Sequence, residues 1–352
     1  MSGGLDSSVS AMLLQQQNFE IIGMTFRSYD SISTACMEKE SGCCSVDSIF
    51  EAKKMADDFG FPHHILDIRQ LFENTVITDF ISQYMTGFTP NPCVLCNKII
   101  KWGKMIEECK KFNCDYLATG HYAQIGYENG RYFLKKGVDK SKDQTYFLWT
   151  LTQDNLKKTM FPLGELTKSQ VRDIAREYNY VKLAQKRESQ EICFIANNDY
   201  RSFLREKIAD IDQRVGKGNF IDINGKIVGK HKGYPFYTVG QRKGLVVAFG
   251  TPKYVCHINA HTNEIVLGDK ENLLSNILLI RDYNLMKYAK IPHDFVGEVK
   301  IRYRDKGMLA SVCQIDDYIK IQFKEPVSAV TAGQSAVIYE GDDVVAGGVI
   351  CG

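Results

Sequence analysis

Met1-Ser2-Gly3-Gly4-Leu5-Asp6-Ser7-Ser8-Val9-Ser10 opens the chain and sets the reading of everything after it. Two adjacent glycines let the backbone turn without a Cβ clash and turn successive N–H groups toward an anion. Asp6, Ser7 and Ser8 then offer capping side chains for a helix, and a helix N-terminus attracts phosphate. The loop has no Lys of the Walker form, which argues against a P-loop NTPase. Phosphate loops of this kind follow a buried β-strand whose end sets the turn. Met1 stands where that strand should finish, so the expectation is either an upstream start or an absent first strand with a weakened nucleotide site.

Outward from the loop, strands and helices alternate. Ser7 to about Gln17 reads as a helix with Val9, Met12 and Leu13 on one face, and Glu20–Phe26 as a buried strand. Residues 27–45 are loop-like and carry Cys36, Cys43 and Cys44, to which no role is assigned. Ile49, Ala52, Met55, Ala56 and Phe59 recur at helical spacing before Gly60. His63–Leu66 is the next strand, and its two histidines read as structural because no partner stands at a zinc-like spacing. Helices over Leu71–Tyr84 and Lys98–Lys110 and a strand over Tyr116–Ala118 follow. This alternation predicts an α/β doubly wound parallel sheet with helices on both faces.

Beyond residue 121 the pattern changes. Hairpins are expected at Asn129-Gly130, Asn224-Gly225 and Thr262-Asn263, and Thr167 with Gln170 forms a capping box opening a helix to Glu177. Residues 277–352 read as strand and turn throughout. The expected organisation is a catalytic α/β domain over 1–198, a small central α+β domain over 199–275 and a C-terminal β-barrel over 276–352.

Composition narrows the class. A chain of 352 residues suggests two or three domains. With 44% hydrophobic and 24% charged residues it is neither disordered nor fibrous. No run of eighteen apolar residues occurs and the start lacks a signal-peptide core, so a cytoplasmic setting with no membrane partner is expected. Eleven cysteines in such a setting argue for reactive thiols or metal ligation. A net charge of +2 requires any nucleic-acid surface to be a local patch.

Two cysteine segments carry the chemistry. In Asn91-Pro92-Cys93-Val94-Leu95-Cys96 the prolines hold the approach extended, and the thiols can share a metal, form a redox pair or be incidental. A helix starting there would lower the thiol pKa of Cys96. Glu188-Ser189-Gln190-Glu191-Ile192-Cys193-Phe194 places a second thiol after a polar run. Further on, Val299-Lys300-Ile301-Arg302-Tyr303-Arg304 alternates strictly, so Lys300, Arg302 and Arg304 share one strand face as a phosphate-tracking patch while Val299, Ile301 and Tyr303 point to the core.

The loop resembles the pyrophosphate loop (SGGxDSS) of enzymes that cleave ATP to AMP and pyrophosphate. Six segments in order, SGGLDSS, NPCVLCNK, ATGHYA, SKDQTYFL, ESQEICFI and YTVGQRKGL, resemble the tRNA-specific 2-thiouridylases over nearly the whole chain. The resemblance implies ATP-dependent replacement of the C2 oxygen of a wobble uridine by sulfur. It implies an ATP site, with Mg2+, at Ser2, Gly3, Gly4, Asp6, Ser7 and Ser8, with Met24 and Gly120 flanking the adenosine. It implies a target-base contact at Asn91, Pro92 and Cys93, and a base flipped out of its stack. It implies tRNA contacts at His121, Lys142, Asp143, Gln144, Arg302, Tyr303 and Gln334. Gln241, Arg242 and Lys243 are further RNA-facing candidates, with a purely structural turn as the alternative.

In the same resemblance Cys193 carries a persulfide received from a sulfur donor, and its terminal sulfur either attacks C2 or is released as sulfide after Cys96 attacks the persulfide bond. The two end as a transient Cys96–Cys193 disulfide that a reductant resets. Cys93 stands where the better-known family pattern has Asp. It is either a bystander or, with Cys96 and Cys193, a ligand of a [4Fe–4S] cluster whose open iron takes external sulfide. Two other readings stand beside this one. One is another adenylating amidotransferase or ligase that does not need the thiols; the other is a non-catalytic RNA-binding protein with a degraded nucleotide site.

Overall fold

The computed structural model describes residues 1–29, 46–186, 192–245, 247 and 250–351. Cys36, Cys43, Cys44 and residues 188–191 lie outside the described residues. The chain groups into two units: residues 1–77, 93–198 and 342–344 form the first, and residues 78–92, 199–341 and 345–352 the second.

In the first unit helix α1 (Leu5–Gln16) leads to strand β1 (Gly23–Arg27), helix α2 (Val46–Phe59) and strand β2 (His63–Asp67). β1 and β2 pair in parallel from Gly23↔His63 to Arg27↔Asp67, as a crossover through a helix requires. A second parallel pair joins β3 (Leu117–Ala118) to β6 (Thr159–Met160), flanking the hairpin of β4 (Ala123–Glu128) and β5 (Arg131–Lys136). Helix α1 is more central than its sequence suggests. Val9 and Met12 are fully buried as expected, but Leu5, Ala11 and Leu14 are buried too, while Leu13 is only half-buried. Leu5, Val9, Ala11 and Met12 pack on Met55, Ala56, Tyr122, Leu163 and Val171. The expected side-chain cap of α1 is absent: Gly4 takes the cap position, and Ser7 Oγ donates back to Gly4 O at 3.2 Å. The capping box of Thr167 and Gln170 opens the helix Lys168–Glu177 as its spacing predicts.

In the second unit the helix Thr78–Met85 packs with Tyr200–Lys207: the Tyr84 and Tyr200 rings stack at 4.6 Å, and Phe80 meets Phe203 edge-on at 5.8 Å. Strands β7 (Gly218–Asp222), β8 (Ile227–His231), β9 (Tyr254–Asn259) and β10 (Glu264–Gly268) form a sheet in the order β8-β7-β10-β9 around buried Phe220, Val255 and Ile265. Six further strands follow: β11 (Leu274–Leu285), β12 (Val296–Lys300), β13 (Met308–Ile315), β14 (Tyr318–Ser328), β15 (Ser335–Glu340) and β16 (Asp343–Ile350). Their order is β11-β14-β13-β12-β15-β16, and pairing of β11 with β16 closes them into a barrel. Closure removes the exposed edges that an open antiparallel sheet would leave. The barrel is filled by alternate residues such as Val299, Ile319, Ile321, Ile338 and Val345.

One strand ends earlier than its alternation suggests. β12 stops at Lys300, because Asp305 accepts the N–H groups of Ile301 and Gly307, each at 3.3 Å, and its own N–H bonds Arg302 O at 3.1 Å, turning the chain. Val299 and Ile301 do enter the core, whereas Tyr303 is half-buried in the turn. Lys300, Arg302 and Arg304 therefore do not share one strand face.

Candidate active site

Gly3 takes a left-handed backbone conformation, φ +60°, and a Cβ built there would lie 2.1 Å from Ser48 O. Only glycine fits. Gly120 is held as closely, its Cβ position 2.7 Å from the Asp6 backbone carbon. Between these contacts the loop is tied by its own serines: Ser2 N donates to Ser7 Oγ at 3.1 Å, and the Ser2 and Ser7 hydroxyls lie 3.1 Å apart. Ser8 is buried, and its N–H closes the first turn onto Gly4 O. The result is a fixed concave turn at the N-terminus of a twelve-residue helix, the arrangement that suits a phosphate.

Three side chains that the sequence reading passed over converge here. Lys168 Nζ donates to both carboxylate oxygens of Asp6, at 2.7 and 2.9 Å. Tyr122 Oη donates to Asp6 Oδ1 at 2.9 Å. Lys186 Nζ donates to Gly3 O at 3.1 Å and pairs with Glu51. Nothing in the local spacing marks Lys168 as belonging to Asp6; the only signal is its place at the first residue of a strongly capped helix.

Met24 is buried in β1, its carbonyl accepting the Met1 amino group. Three residues in this unit that the resemblance assigns to tRNA are bonded within the protein. His121 is buried, its Nδ1 2.8 Å from Thr119 Oγ1 and its Nε2 3.2 Å from Lys101 Nζ. Lys101 has only donors, so the network assigns the neutral Nδ1–H tautomer. Asp143 is buried and accepts the N–H and hydroxyl of Thr145. Gln144 Oε1 accepts Tyr122 N–H at 3.0 Å while Gln144 N–H bonds Tyr122 O at 3.0 Å, so it aims the tyrosine that grips Asp6. Lys142 and Gln144 are half-exposed, whereas His121 and Asp143 are buried.

Burial, and secondarily the Lys101 ammonium, holds the His121 imidazole well below its usual pKa. Burial, followed by the charges of the N-terminus and His64, brings His63 down to about 4. The unfolded chain therefore binds protons below about pH 6.5 that the folded chain refuses. Stability is complete above that pH and falls as pH drops from about 6.5 toward 4, by up to about 1.4 kcal/mol per pH unit for His121. Urea midpoints measured across this range are expected to show that slope in the wild type and a shallower one in His121→Gln.

The paired cysteines sit on a helix rather than ahead of one. Pro92–Cys96 is its first turn, continued in π geometry over Asn97–Lys104 and as α-helix to Lys111. Pro92 at the start costs no hydrogen bond. Buried Asn97 Nδ2 donates to Phe147 O at 2.9 Å and Trp102 Nε1 to Thr159 Oγ1 at 2.7 Å, fixing the helix that carries the thiols. Burial raises the Cys93 thiol above its usual pKa, and the Lys101 charge only partly opposes this. Cys96 is half-buried and Cys193 exposed. Among the described residues no group of three or more His, Cys, Asp or Glu is gathered as metal ligands. Cys93, Cys96 and Cys193 are thus not gathered as a ligand set among the described residues.

Within the second unit, Arg201, Lys243 and Arg302 line a cleft of about 600 Å³ together with Tyr200, Gln241 and Gln334. Arg302 donates to Ala329 O at 2.8 Å and Thr331 Oγ1 at 3.2 Å. Gln334 Nε2 donates to the carbonyls of Thr89 and Pro90, at 3.1 and 2.9 Å. That clasp fixes the residues immediately before Asn91 and Pro92. Gln241 closes its own turn, accepting Thr238 N–H and donating to Lys243 O.

The family described as "tRNA methyl transferase HUP domain" matches residues 1–197, its PRC-barrel domain residues 201–269, and "Aminomethyltransferase beta-barrel domain" residues 275–350. The chain is 47% identical to the tRNA-specific 2-thiouridylase MnmA of Amoebophilus asiaticus, over 99% of this chain and 93% of that protein. The chain belongs to the tRNA-specific 2-thiouridylase family. Other 2-thiouridylases lie as near: that of Carboxydothermus hydrogenoformans is 46% identical over 99% of this chain and 96% of its own length, and that of Cytophaga hutchinsonii 45% over 99% and 95%. As a 2-thiouridylase-family enzyme it modifies tRNA by sulfur transfer. Among the described residues no helix is long and apolar enough to cross a membrane.

Proposed function

We propose that this enzyme makes 2-thiouridine at the wobble position of tRNA by adenylating the C2 oxygen and replacing it with persulfide sulfur. The observation that carries this is the loop Ser2–Ser8, pinned through Gly3 and Gly120 at the N-terminus of α1, where a polyphosphate would sit. Oxygen on C2 is a poor leaving group, and transfer of AMP from ATP, with release of pyrophosphate, turns it into a phosphate ester that departs. Mg2+ would accompany the ATP phosphates and neutralise their charge.

The sulfur arrives on Cys193 as a persulfide, by transfer of sulfane sulfur from a donor protein's persulfide to the Cys193 thiolate with release of the donor's thiol. Its terminal sulfur attacks C2 and expels AMP, leaving a disulfide between Cys193 and the base. The Cys96 thiolate then attacks Cys193 Sγ, the base leaves as 2-thiouridine, and Cys96–Cys193 remains as a disulfide. The two cysteine thiols supply the two electrons that reduce the transferred sulfur, and an external dithiol restores them. Exposure of Cys193 favours receipt of sulfur from outside. Asn91 and Pro92 meet the flipped base, while Lys142, Arg302 and Tyr303 contact tRNA.

The family descriptions mention methyl transfer, whereas paired thiols and a pyrophosphate-type loop fit sulfur transfer. Incubation with ATP and unmodified tRNA should yield AMP and pyrophosphate; ADP with orthophosphate would contradict the reading. Cys93→Ser is expected to keep thiolation within about threefold of wild type, because burial raises the half-buried Cys93 thiol above its usual pKa and disfavours the reactive thiolate. Loss of thiolation in that variant, measured alongside iron content after anoxic purification, would restore the cluster route.

A further inference from the structure

The glycine loop carries a carboxylate where a polyphosphate site needs positive charge. Asp6 is the second residue of α1, at the mouth of the loop. An uncompensated carboxylate there would repel phosphate. Lys168 compensates it: the Nζ contacts both oxygens, and the lysine side chain is 11% exposed against 35% for Asp6. The lysine reaches the loop from the start of Lys168–Glu177, and that start is fixed twice. The Thr167–Gln170 capping box closes it, and Lys168 N–H donates to Asp139 Oδ2 at 3.0 Å. A second arm comes through Tyr122, whose hydroxyl holds Asp6 Oδ1 and whose backbone is clasped by Gln144. Asp139 and Gln144 bracket one short segment, so the same stretch of chain sets both groups that hold the carboxylate.

We propose that Lys168 is a positioning residue for the ATP phosphates: from a helix 162 residues away it supplies the cation that the glycine loop lacks, cancelling Asp6 and fixing its carboxylate. The inference rests on the ATP reading above. Lys168 acts by its charge beside the loop and by offsetting that of Asp6, so its removal leaves the loop guarded by a carboxylate without a counter-charge.

The test is calorimetric titration of metal-free pyrophosphate, and separately of ATP, into the full-length protein without tRNA. Wild type is compared with Lys168→Met, Lys168→Arg, Asp6→Asn and the double variant Asp6→Asn/Lys168→Met, each with its urea midpoint. Lys168→Met is expected to weaken pyrophosphate binding by about tenfold or more, and Lys168→Arg to stay within about threefold of wild type. The double variant should bind more tightly than Lys168→Met, because the repelling carboxylate has gone. A purely structural lysine would shift the urea midpoint and leave the affinity of the folded protein unchanged. Equal affinities in wild type and Lys168→Met overturn the proposal. Should Lys168→Met fail to fold, the uncharged double variant must bind more weakly than Asp6→Asn, and equality there overturns it as well. A wild type that binds neither ligand overturns the ATP reading and this inference with it, whereas tight wild-type binding with an indifferent Lys168 removes the inference alone.

Discussion

Cys193→Ala is expected to lower 2-thiouridine formation by about a thousandfold or more while tRNA-dependent release of pyrophosphate continues. The split follows from the order of the steps: adenylation uses the phosphate loop, and the thiol enters only when sulfur must attack C2. Cys193 is exposed, whereas Cys93 is half-buried and its thiol is held protonated, so Cys93 is no substitute carrier. Cys96→Ala should fail one step later. It would trap a sulfur-bridged adduct between Cys193 and the base, visible as a tRNA–protein species that a small thiol releases. Both assays read the same reaction mixture. Full activity in either variant would favour an adenylating ligase that has no use for paired thiols.

Gly3→Val and Gly120→Ala are the second pair of large effects. A side chain at Gly3 meets Ser48 O at 2.1 Å and demands a left-handed φ of +60°, so the loop must leave its place. At Gly120 the added methyl meets the Asp6 backbone at 2.7 Å and pushes on the first turn of α1. Both contacts are to backbone, which cannot swing aside as a side-chain tip can. ATP binding and pyrophosphate release should fall by about a hundredfold, with an overpacking cost of about 1–3 kcal/mol in stability. Gly130→Ala is the control: its Cβ position meets nothing within 4 Å, so the variant isolates the left-handed φ of +76° from any loss of space. Its ATP binding should match wild type.

The contrast between these features and Lys168 shows what a sequence exposes. The glycine loop, the capping box at Thr167 and the hairpin turns at Asn129-Gly130 and Asn224-Gly225 are local: neighbouring residues state the backbone they need. The pairing of Asp6 with Lys168 spans 162 residues and leaves no local trace. Alternation misled at Arg302 and Tyr303, because the pattern of a strand continues through a turn that Asp305 imposes by accepting two backbone N–H groups. The family pattern at His121, Asp143 and Gln144 gives no hint of their bonds within the protein: His121 to Lys101, Asp143 to Thr145, and Gln144 to the Tyr122 that holds Asp6. A motif records that residues matter together; only packing says which of them face outward.

The central claim is that this chain converts ATP and persulfide sulfur into a thiocarbonyl on tRNA. It is tested most directly by nucleoside mass spectrometry of unmodified tRNA incubated anoxically with the protein, ATP and a persulfide donor, with sulfide alone as a parallel arm. The account predicts a gain of 2-thiouridine that disappears when ATP is withheld. Stable tRNA binding with no 2-thiouridine from any donor would contradict it and leave an RNA-binding protein with an idle phosphate loop.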